Sequence, residues 1–132
     1  EGLEALCGMG LELGVATNKP SHFTRPLLEA CGIDSFFSVV ACGDTVARKK
    51  PDPDMILHAA QSWSLPVGRL LLIGDSANDA AAARAAGCPV WLVPYGYREG
   101  QALRDIDCDG IVPDLSIAAR HLAAGTQPDP NR

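Results

Sequence analysis

The feature that most constrains the fold is the alternation of short apolar runs with longer amphipathic or Ala-rich stretches. Apolar runs at 11–16, 38–41, 70–73 and 89–93 have the length of buried strands. Turn residues separate these runs from the stretches between them, and no hairpin signal joins one run to the next. Strands that alternate with helices need crossover connections, so the pattern predicts an α/β fold with a Rossmann-like parallel sheet and helices on both faces.

The intervening stretches predict four main helices, which run from about Pro20 to Ala30, Pro51 to Ser62, Asn78 to Ala86 and Leu115 to Ala123. Gly32 and Gly87 follow the first and third of these helices and are suited to C-terminal caps. The acids Asp52 and Asp54 suit a helix start, where negative charge is favourable.

The first residues of the chain are predicted to be structured, whereas the last residues are not. Glu1 to Met9 resembles the tail of a helix, and Gly110 to Val112 has the character of a short edge strand. Residues 125–132 are predicted to be disordered. The sequence therefore predicts one domain over residues 1–124, entered partway through a larger protein.

The composition excludes several classes of protein. The chain has 132 residues, of which 47% are hydrophobic, and its net charge of −5 includes no basic run longer than residues 48–50. Nucleic acid is therefore not an expected partner. No apolar run reaches the length of a membrane span and no signal peptide opens the chain, which predicts a cytoplasmic protein without a membrane partner. The oligomeric state is not indicated.

The cysteine pattern indicates a reducing compartment. The five cysteines are odd in number, widely spaced and without a C-x-x-C pair. We interpret them as small buried hydrophobic residues rather than as ligands or nucleophiles, and they are Cys7, Cys31, Cys42, Cys88 and Cys108.

Polar residues directly after the predicted strands are the candidates for chemistry, because ligands of such sheets bind beyond the carboxyl ends of the strands. Four segments qualify, namely Thr17-Asn18-Lys19-Pro20, Gly43-Asp44, Lys49-Lys50-Pro51 and Gly74-Asp75-Ser76-Ala77-Asn78-Asp79. They offer a hydroxyl, backbone amides, a cation and two carboxylates at i and i+4. Such groups can bind a phosphate and a hard cation.

Each motif also has a purely structural interpretation. Thr17 and Asn18 could cap the following helix, Lys50 could be a solvated lysine on an exposed loop, and the acidic loop could simply begin a helix. Their shared order favours a site. Three groups are weaker candidates: Asp44 fits a turn, Tyr97 and Arg98 lie on a loop that could reach the site, and His22, His58 and His121 form no ligand-like group.

The order of three motifs resembles the haloacid dehalogenase-type phosphatases over nearly all of residues 1–120. The motifs are V-A-T-N-K-P, K-K-P-D-P and L-I-G-D-S-A-N-D-A-A-A-A-R-A-A-G. Together with the later Y-G-Y, they are most similar to the bacterial phosphoglycolate phosphatases within that superfamily. The resemblance implies a magnesium-dependent phosphatase that acts on a small phosphomonoester, with 2-phosphoglycolate as the first substrate, through a phosphoaspartyl intermediate.

The resemblance also implies roles for individual residues. Thr17 would hydrogen-bond the phosphoryl oxygens with help from the backbone of Asn18, and Lys50 would bridge the phosphate and the nucleophile. Asp75 would ligate Mg²⁺. Asp79 would lie behind the metal and orient either a metal-bound water or the Lys50 ammonium.

One element of the family pattern has no counterpart in these residues. The family nucleophile belongs to a D-x-D-G-T-type motif at the end of a central strand, and no such string occurs. The pairs Asp52–Asp54 and Asp107–Asp109 do not follow an apolar strand. We therefore expect the 132-residue chain to lack the central strand and the cap domain that follows it, to be inactive alone, and to be weakened by unpaired strand edges.

Three further functions stay open. The chain could come from another phosphotransferase of the superfamily, β-phosphoglucomutase-like or pyrophosphatase-like, because the cap normally selects the substrate. It could be a short protein that binds phosphate or metal without catalysis. It could also be complemented by a second chain that donates the nucleophile strand. A dehalogenase is disfavoured, since the Asp75–Asp79 spacing serves a metal that dehalogenases do not use.

Overall fold

The structure is a computed structural model that describes residues 2–94 and 105–130. Helices and strands alternate along it as predicted. The helices are α1 (Gly2–Gly8), α2 (Ser21–Ala30), α3 (Asp54–Trp63), α4 (Ala77–Ala86) and α5 (Leu115–Ala124), with 3₁₀ turns at Asp34–Phe36 and Val67–Arg69. The strands are β1 (Gly14–Ala16), β2 (Val39–Ala41), β3 (Leu72–Gly74), β4 (Val90–Leu92) and β5 (Gly110–Ile111).

The strands form two parallel sheets rather than one. β1 pairs with β2, with Val15 opposite Val40, and β3, β4 and β5 form a second sheet in that order. The crossovers from β1 to β2 and from β3 to β4 contain α2 and α4 respectively, as parallel pairing requires. The predicted parallel α/β fold is therefore confirmed, with its strands divided between two ladders.

Side chains on opposite faces of the three-stranded sheet enter two separate hydrophobic clusters. Val90 and Leu92 pack with Ile56 of α3 and Ala83 of α4 on one face. The alternate residues of the same strands point the other way, where Trp91, Val93 and Ile73 pack with Ala118 of α5. The period of two along a strand explains this division, and helices cover both faces of this sheet.

β1 and β3 do not pair with each other. Leu13 and Thr17, which flank β1, bond the β2 side through a carbonyl and an N–H respectively. Because backbone groups alternate in direction along a strand, Gly14 and Ala16 direct theirs to the opposite edge. Leu72 and Gly74 of β3 likewise bond the β4 side, through Pro89 and Val93. The edges of β1 and β3 that face away from β2 and β4 therefore have no strand partner among the described residues.

The segment after α5, for which the sequence predicts disorder, continues along the sheet up to residue 130. The N–H of Ile111 donates to the carbonyl of Asp129 at 3.0 Å, and Gln127 Nε2 donates to the carbonyl of Asp109 at 2.7 Å. These bonds place residues 127–129 against the outer edge of β5.

The prediction of buried cysteines is right for three residues and wrong for two. Cys42, Cys88 and Cys108 are buried, whereas Cys7 and Cys31 are exposed at helix ends. Burial raises the pKa of the Cys88 and Cys108 thiols, which are therefore poor nucleophiles. None of the helices among the described residues has the length and apolar character that spanning a bilayer demands.

Candidate active site

Lys50 lies at the centre of the candidate site. Its segment connects β2 to α3, yet only 12% of its side chain is exposed. The ammonium Nζ donates to the carbonyl oxygen of Ala16 at 2.9 Å and to Asp79 Oδ1 at 2.5 Å. Because Ala16 ends β1 and Asp79 follows β3, Lys50 spans the space between the two sheets at their carboxyl ends. The interpretation of Lys50 as a solvated loop residue is wrong.

Asn18 fixes the backbone of Lys50 from the other side. Its Nδ2 donates to the carbonyl of Lys50 at 3.0 Å, and its Oδ1 accepts from the Lys50 N–H at 2.9 Å. The side chain of Asn18 is therefore committed to Lys50 and does not cap α2. The residue before α2 is Pro20, and no side chain caps the helix from that position.

Asp79 is held in the first turn of α4 by several donors. Its Oδ2 accepts from the backbone N–H of Asp75 at 3.0 Å and from the hydroxyl of Ser76 at 3.2 Å. Ser76 in turn caps the helix by accepting from the Asp79 N–H. A side chain on Gly74 would collide with Asp79, since an added Cβ would lie 2.4 Å from the Asp79 Cβ. Glycine at position 74 is thus required for this close approach.

The environment of Asp79 favours its ionised form. Burial alone would raise its pKa, but the charge and hydrogen bond of Lys50 and the bond from the Asp75 N–H outweigh burial, so the pKa of Asp79 is lowered. The carboxylate can therefore hold the Lys50 ammonium in one place.

Asp75 differs because no Lys, Arg or His lies within 4 Å of its carboxylate among the described residues. Burial, and after it the charge of Asp79, raises the pKa of Asp75, although the Lys50 charge acts in the opposite direction. A half-buried carboxylate oxygen that lacks a cation is a suitable ligand for Mg²⁺, which takes one or two carboxylates together with water and phosphate oxygens. No group of three His, Cys, Asp or Glu that could hold a metal occurs in the described part of the chain. The described residues therefore provide one carboxylate ligand, Asp75, for such a site.

Thr17 lies in the chain between Ala16 and Asn18, which both contact Lys50. Its hydroxyl accepts from the Lys19 N–H at 3.2 Å, which leaves the hydroxyl hydrogen to donate. The Asn18 N–H has no acceptor among the described residues. These two donors could bind the oxygens of an anion.

The N-terminus of α2, in contrast, is already occupied by a carboxylate. Asp44 accepts from the Ser21 N–H at 2.9 Å and from the Ser21 hydroxyl at 2.7 Å, and these bonds lower the pKa of Asp44. The first N–H of α2 is therefore not available to a phosphate. Asp44 is more than a turn residue, because it attaches the loop after β2 to α2.

The remaining candidates lie outside the cluster or outside the described residues. Asp54 lies at the start of α3, as predicted, and pairs with Arg48, but the helix begins three residues after the predicted Pro51 and leaves Asp52 outside it. His22 stacks on Phe23 and His121 contacts Thr126, so neither joins a ligand group. Tyr97 and Arg98 lie outside the described residues.

Sequence reasoning missed two contacts of the site, those of the Asn18 side chain and of Asp44. Both are made between residues more than 20 positions apart, and no local pattern reports them. The bond between Ser76 and Asp79 did have a local signal, since a serine followed three residues later by an acid resembles a capping box.

The chain belongs to the haloacid dehalogenase-like hydrolases, because residues 1–93 match that family. It is 49% identical over 119 residues to the phosphoglycolate phosphatase of Thiobacillus denitrificans. That match covers 90% of this chain and 52% of the relative. The chain thus spans about half the length of the curated relatives that it matches.

Two solved structures share the fold. A predicted phosphoglycolate phosphatase from Haemophilus somnus superposes with a TM-score of 0.88 at 35% identity, over 92% of this chain and 54% of that one. CbbY from Rhodobacter sphaeroides, solved in complex with phosphate, superposes with a TM-score of 0.75 at 28% identity, over 86% of this chain and 51% of that one. The expected family and fold are therefore confirmed.

Proposed function

We propose that the protein containing this chain is a magnesium-dependent phosphatase of a small phosphomonoester, with 2-phosphoglycolate as its substrate. One observation carries the proposal, namely the Lys50 ammonium held between Ala16 and Asp79 beside the uncompensated carboxylate of Asp75. The fixed Lys50 ammonium provides positive charge for a transferring phosphoryl group. The neighbouring Asp75 carboxylate, which has no cation partner, provides a ligand for a metal.

Each residue of the cluster then has a defined task. The Thr17 hydroxyl and the Asn18 N–H donate to phosphoryl oxygens, and Lys50 offsets the negative charge that these oxygens carry. Asp79 keeps the Lys50 ammonium in position. Asp75 provides a hard oxygen ligand for Mg²⁺, which, when bound, neutralises phosphate charge and helps to orient the phosphate for in-line attack.

The nucleophile is proposed to come from a segment outside the 132 residues. The covalent step needs an aspartate that attacks phosphorus and releases the alcohol oxygen, giving a phosphoaspartyl intermediate that water then hydrolyses. An extended segment could pair with the open edge of β1 and the open edge of β3, which would bring its end to Lys50. The same chain or a separate chain could supply it.

The test uses the protein translated from the complete open reading frame that contains these residues. Phosphate release from 2-phosphoglycolate and from pyrophosphate is measured with Mg²⁺ and with EDTA, beside the conversion of β-glucose 1-phosphate to glucose 6-phosphate. We expect turnover of 2-phosphoglycolate that requires Mg²⁺. Faster turnover of either competitor would favour the corresponding phosphotransferase, and turnover in EDTA would contradict the metal.

The variant Asp75→Asn tests the metal ligand. We expect kcat/KM to fall by about 100-fold and the Mg²⁺ concentration for half-maximal rate to rise. Asp34→Asn is the matched control, because Asp34 is an exposed acid on a 3₁₀ turn away from the cluster, and it should change the rate less than about twofold. Equal effects of the two substitutions would argue against Asp75 as a ligand.

A second candidate function applies to the 132-residue chain by itself, which contains no D-x-D-G-T string. Such a chain would bind phosphate or Mg²⁺ without turnover. Titration of the purified chain with inorganic phosphate, followed by chemical shifts of Thr17 and Asn18, tests binding. Measurable phosphatase activity of that chain would show that no external nucleophile is needed. A cytoplasmic location also stays a prediction.

A further inference from the structure

We propose that Asn18 is a positioning residue whose side-chain amide holds Lys50 in the orientation that the site needs. The inference rests on the proposed function for its catalytic consequence, although the contact itself does not depend on any activity. Asn18 would act through Lys50 rather than on the reacting atoms, since both polar atoms of its side chain are bound to the Lys50 backbone.

The contact is reciprocal and long-range. One amide group both donates to and accepts from the same residue, 32 positions away, with distances of 3.0 and 2.9 Å. Only Asn or Gln offers a donor and an acceptor side by side in this way. An aspartate would lose the donor and place a carboxylate oxygen against the Lys50 carbonyl, so the geometry requires an amide.

The bonds of Gly43 and Asp44 hold only the start of the segment that carries Lys50, and the part next to Lys50 has little other backbone support. Residues 42–53 contain neither helix nor strand. The bonds found around Lys50 are local, from the Asp52 N–H to the carbonyl of Lys49 and from Arg48 to Asp54. The Arg48 side chain is 65% exposed and contributes little rigidity. The Asn18 amide is therefore the contact that ties the Lys50 backbone to the end of β1.

Asn18 is itself fixed in place. Its backbone carbonyl packs against Gly43, where an added Cβ would lie 2.3 Å from the Asn18 oxygen. The Gly43 N–H also donates to the carbonyl of the next residue, Lys19, at 2.8 Å. Lys50 is thus held at both ends, by Asn18 at its backbone and by Ala16 and Asp79 at its ammonium. Two anchored ends restrict a long side chain that would otherwise sample many rotamers.

The kinetic test uses Asn18→Ala in the protein from the complete open reading frame. We expect kcat to fall by about 10- to 100-fold, because a misplaced cation stabilises the transition state poorly, while KM changes by less than about threefold. Gln61→Ala is the control, since Gln61 is an exposed amide on α3. The control should leave kcat within about twofold.

A double-mutant comparison separates positioning from a merely structural role. In a Lys50→Met background, Asn18→Ala should lower the remaining rate by less than about twofold, because its target is gone. An equal loss in both backgrounds would show that Asn18 acts without Lys50 and would overturn the inference.

An NMR measurement that needs no turnover tests the same contact, and it applies even if Lys50→Met does not fold or the substrate is wrong. The ¹⁵N signal of the Lys50 ammonium, assigned by its loss in Lys50→Arg, should be resolved in the wild type and in Gln61→Ala and lost by exchange in Asn18→Ala. An unchanged signal in Asn18→Ala, or no signal in the wild type, would overturn the inference. A lost signal in a protein that does not hydrolyse 2-phosphoglycolate would refute the proposed function and leave the positioning role intact.

Discussion

Helix α4 carries a charged cluster at each end, and the two clusters use the same kinds of residue differently. At its start, Lys50 binds Asp79 and leaves Asp75 without a cation. In its last turn, the Arg84 guanidinium binds both oxygens of Asp107 and both of Asp109, at 3.0 to 3.2 Å. The side chains of Lys50 and Asp79 are nearly buried, whereas Arg84 is 37% and Asp107 80% exposed.

The cluster at Lys50 has the character of a ligand-binding site, whereas the cluster at Arg84 has that of a structural ion-pair network. Arg84 satisfies both of its carboxylates, and Asp109 also accepts from the N–H of Val90 at the start of β4. This network lies at the amino ends of the strands, away from the position where ligands bind such sheets. The D-x-D pair at 107–109 is therefore part of an ion-pair network. Of these two clusters of described residues, the one at Lys50 retains a carboxylate, Asp75, without a cation within 4 Å.

The largest expected effect is that of Lys50→Met on stability. Removing the cation leaves Asp79, which is 5% exposed, as a buried charge without its partner. We expect the free energy of unfolding to fall by about 3 kcal/mol, measured by urea denaturation of the 132-residue chain. Lys49→Met makes the same change at the exposed neighbouring position and should cost less than about 0.5 kcal/mol. Equal losses would mean that Lys50 contributes no more than a surface lysine.

A smaller effect is expected for Arg84→Met, because that network is partly solvated. We expect a loss of about 1 kcal/mol that shrinks in 1 M NaCl, where exposed ion pairs are screened. The Lys50→Met loss should depend much less on salt. Arg120→Met, at an exposed position of α5, is the control and should have no measurable cost. A salt-independent loss for Arg84 would remove the distinction between the two clusters.

The smallest effect concerns pH. Burial raises the pKa of Asp109, but the bonds from Arg84 and Val90 outweigh burial and lower it overall. Because the pKa of Asp109 is lowered in the folded state, its stabilisation is complete above the unfolded-state pKa of about 3.9. The stabilisation is lost as the pH falls through the folded-state pKa. The difference in unfolding free energy between wild type and Asp109→Asn should thus be constant from pH 5 to 7. It should stay under about 1 kcal/mol, because the Asp109 carboxylate is partly exposed. A difference that grows below pH 4 would contradict this assignment.

Local patterns were sufficient to predict the elements and the order of the site segments. The apolar run at 70–73 and the Ala-rich stretch after it predicted β3 and α4, although β3 begins two residues later, at Leu72. The predicted edge strand at 110–112 is β5, one residue shorter. These features depend on periodicity and on helix ends, which neighbouring residues determine.

Contacts between distant segments could not be read from the sequence in the same way. The amide of Asn18 and the carboxylate of Asp44 bind partners that only the folded chain brings close, and both residues have ordinary turn roles as alternatives. The division into two sheets also depends on which strand lies beside β1, and strand order has no local signal. The roles of Thr17, Lys50, Asp75 and Asp79 in catalysis stay predictions.

The segment after α5 limits how far the β5 side of the sheet can extend. Residues 127–129 lie along β5, and the Ile111 N–H is already bonded to Asp129. Pro128 and Pro130 flank that contact and carry no N–H with which to recruit another strand. This side of the molecule is therefore protected against edge-to-edge aggregation with a second copy, and truncation after Gly125 should make the protein more prone to assemble through β5.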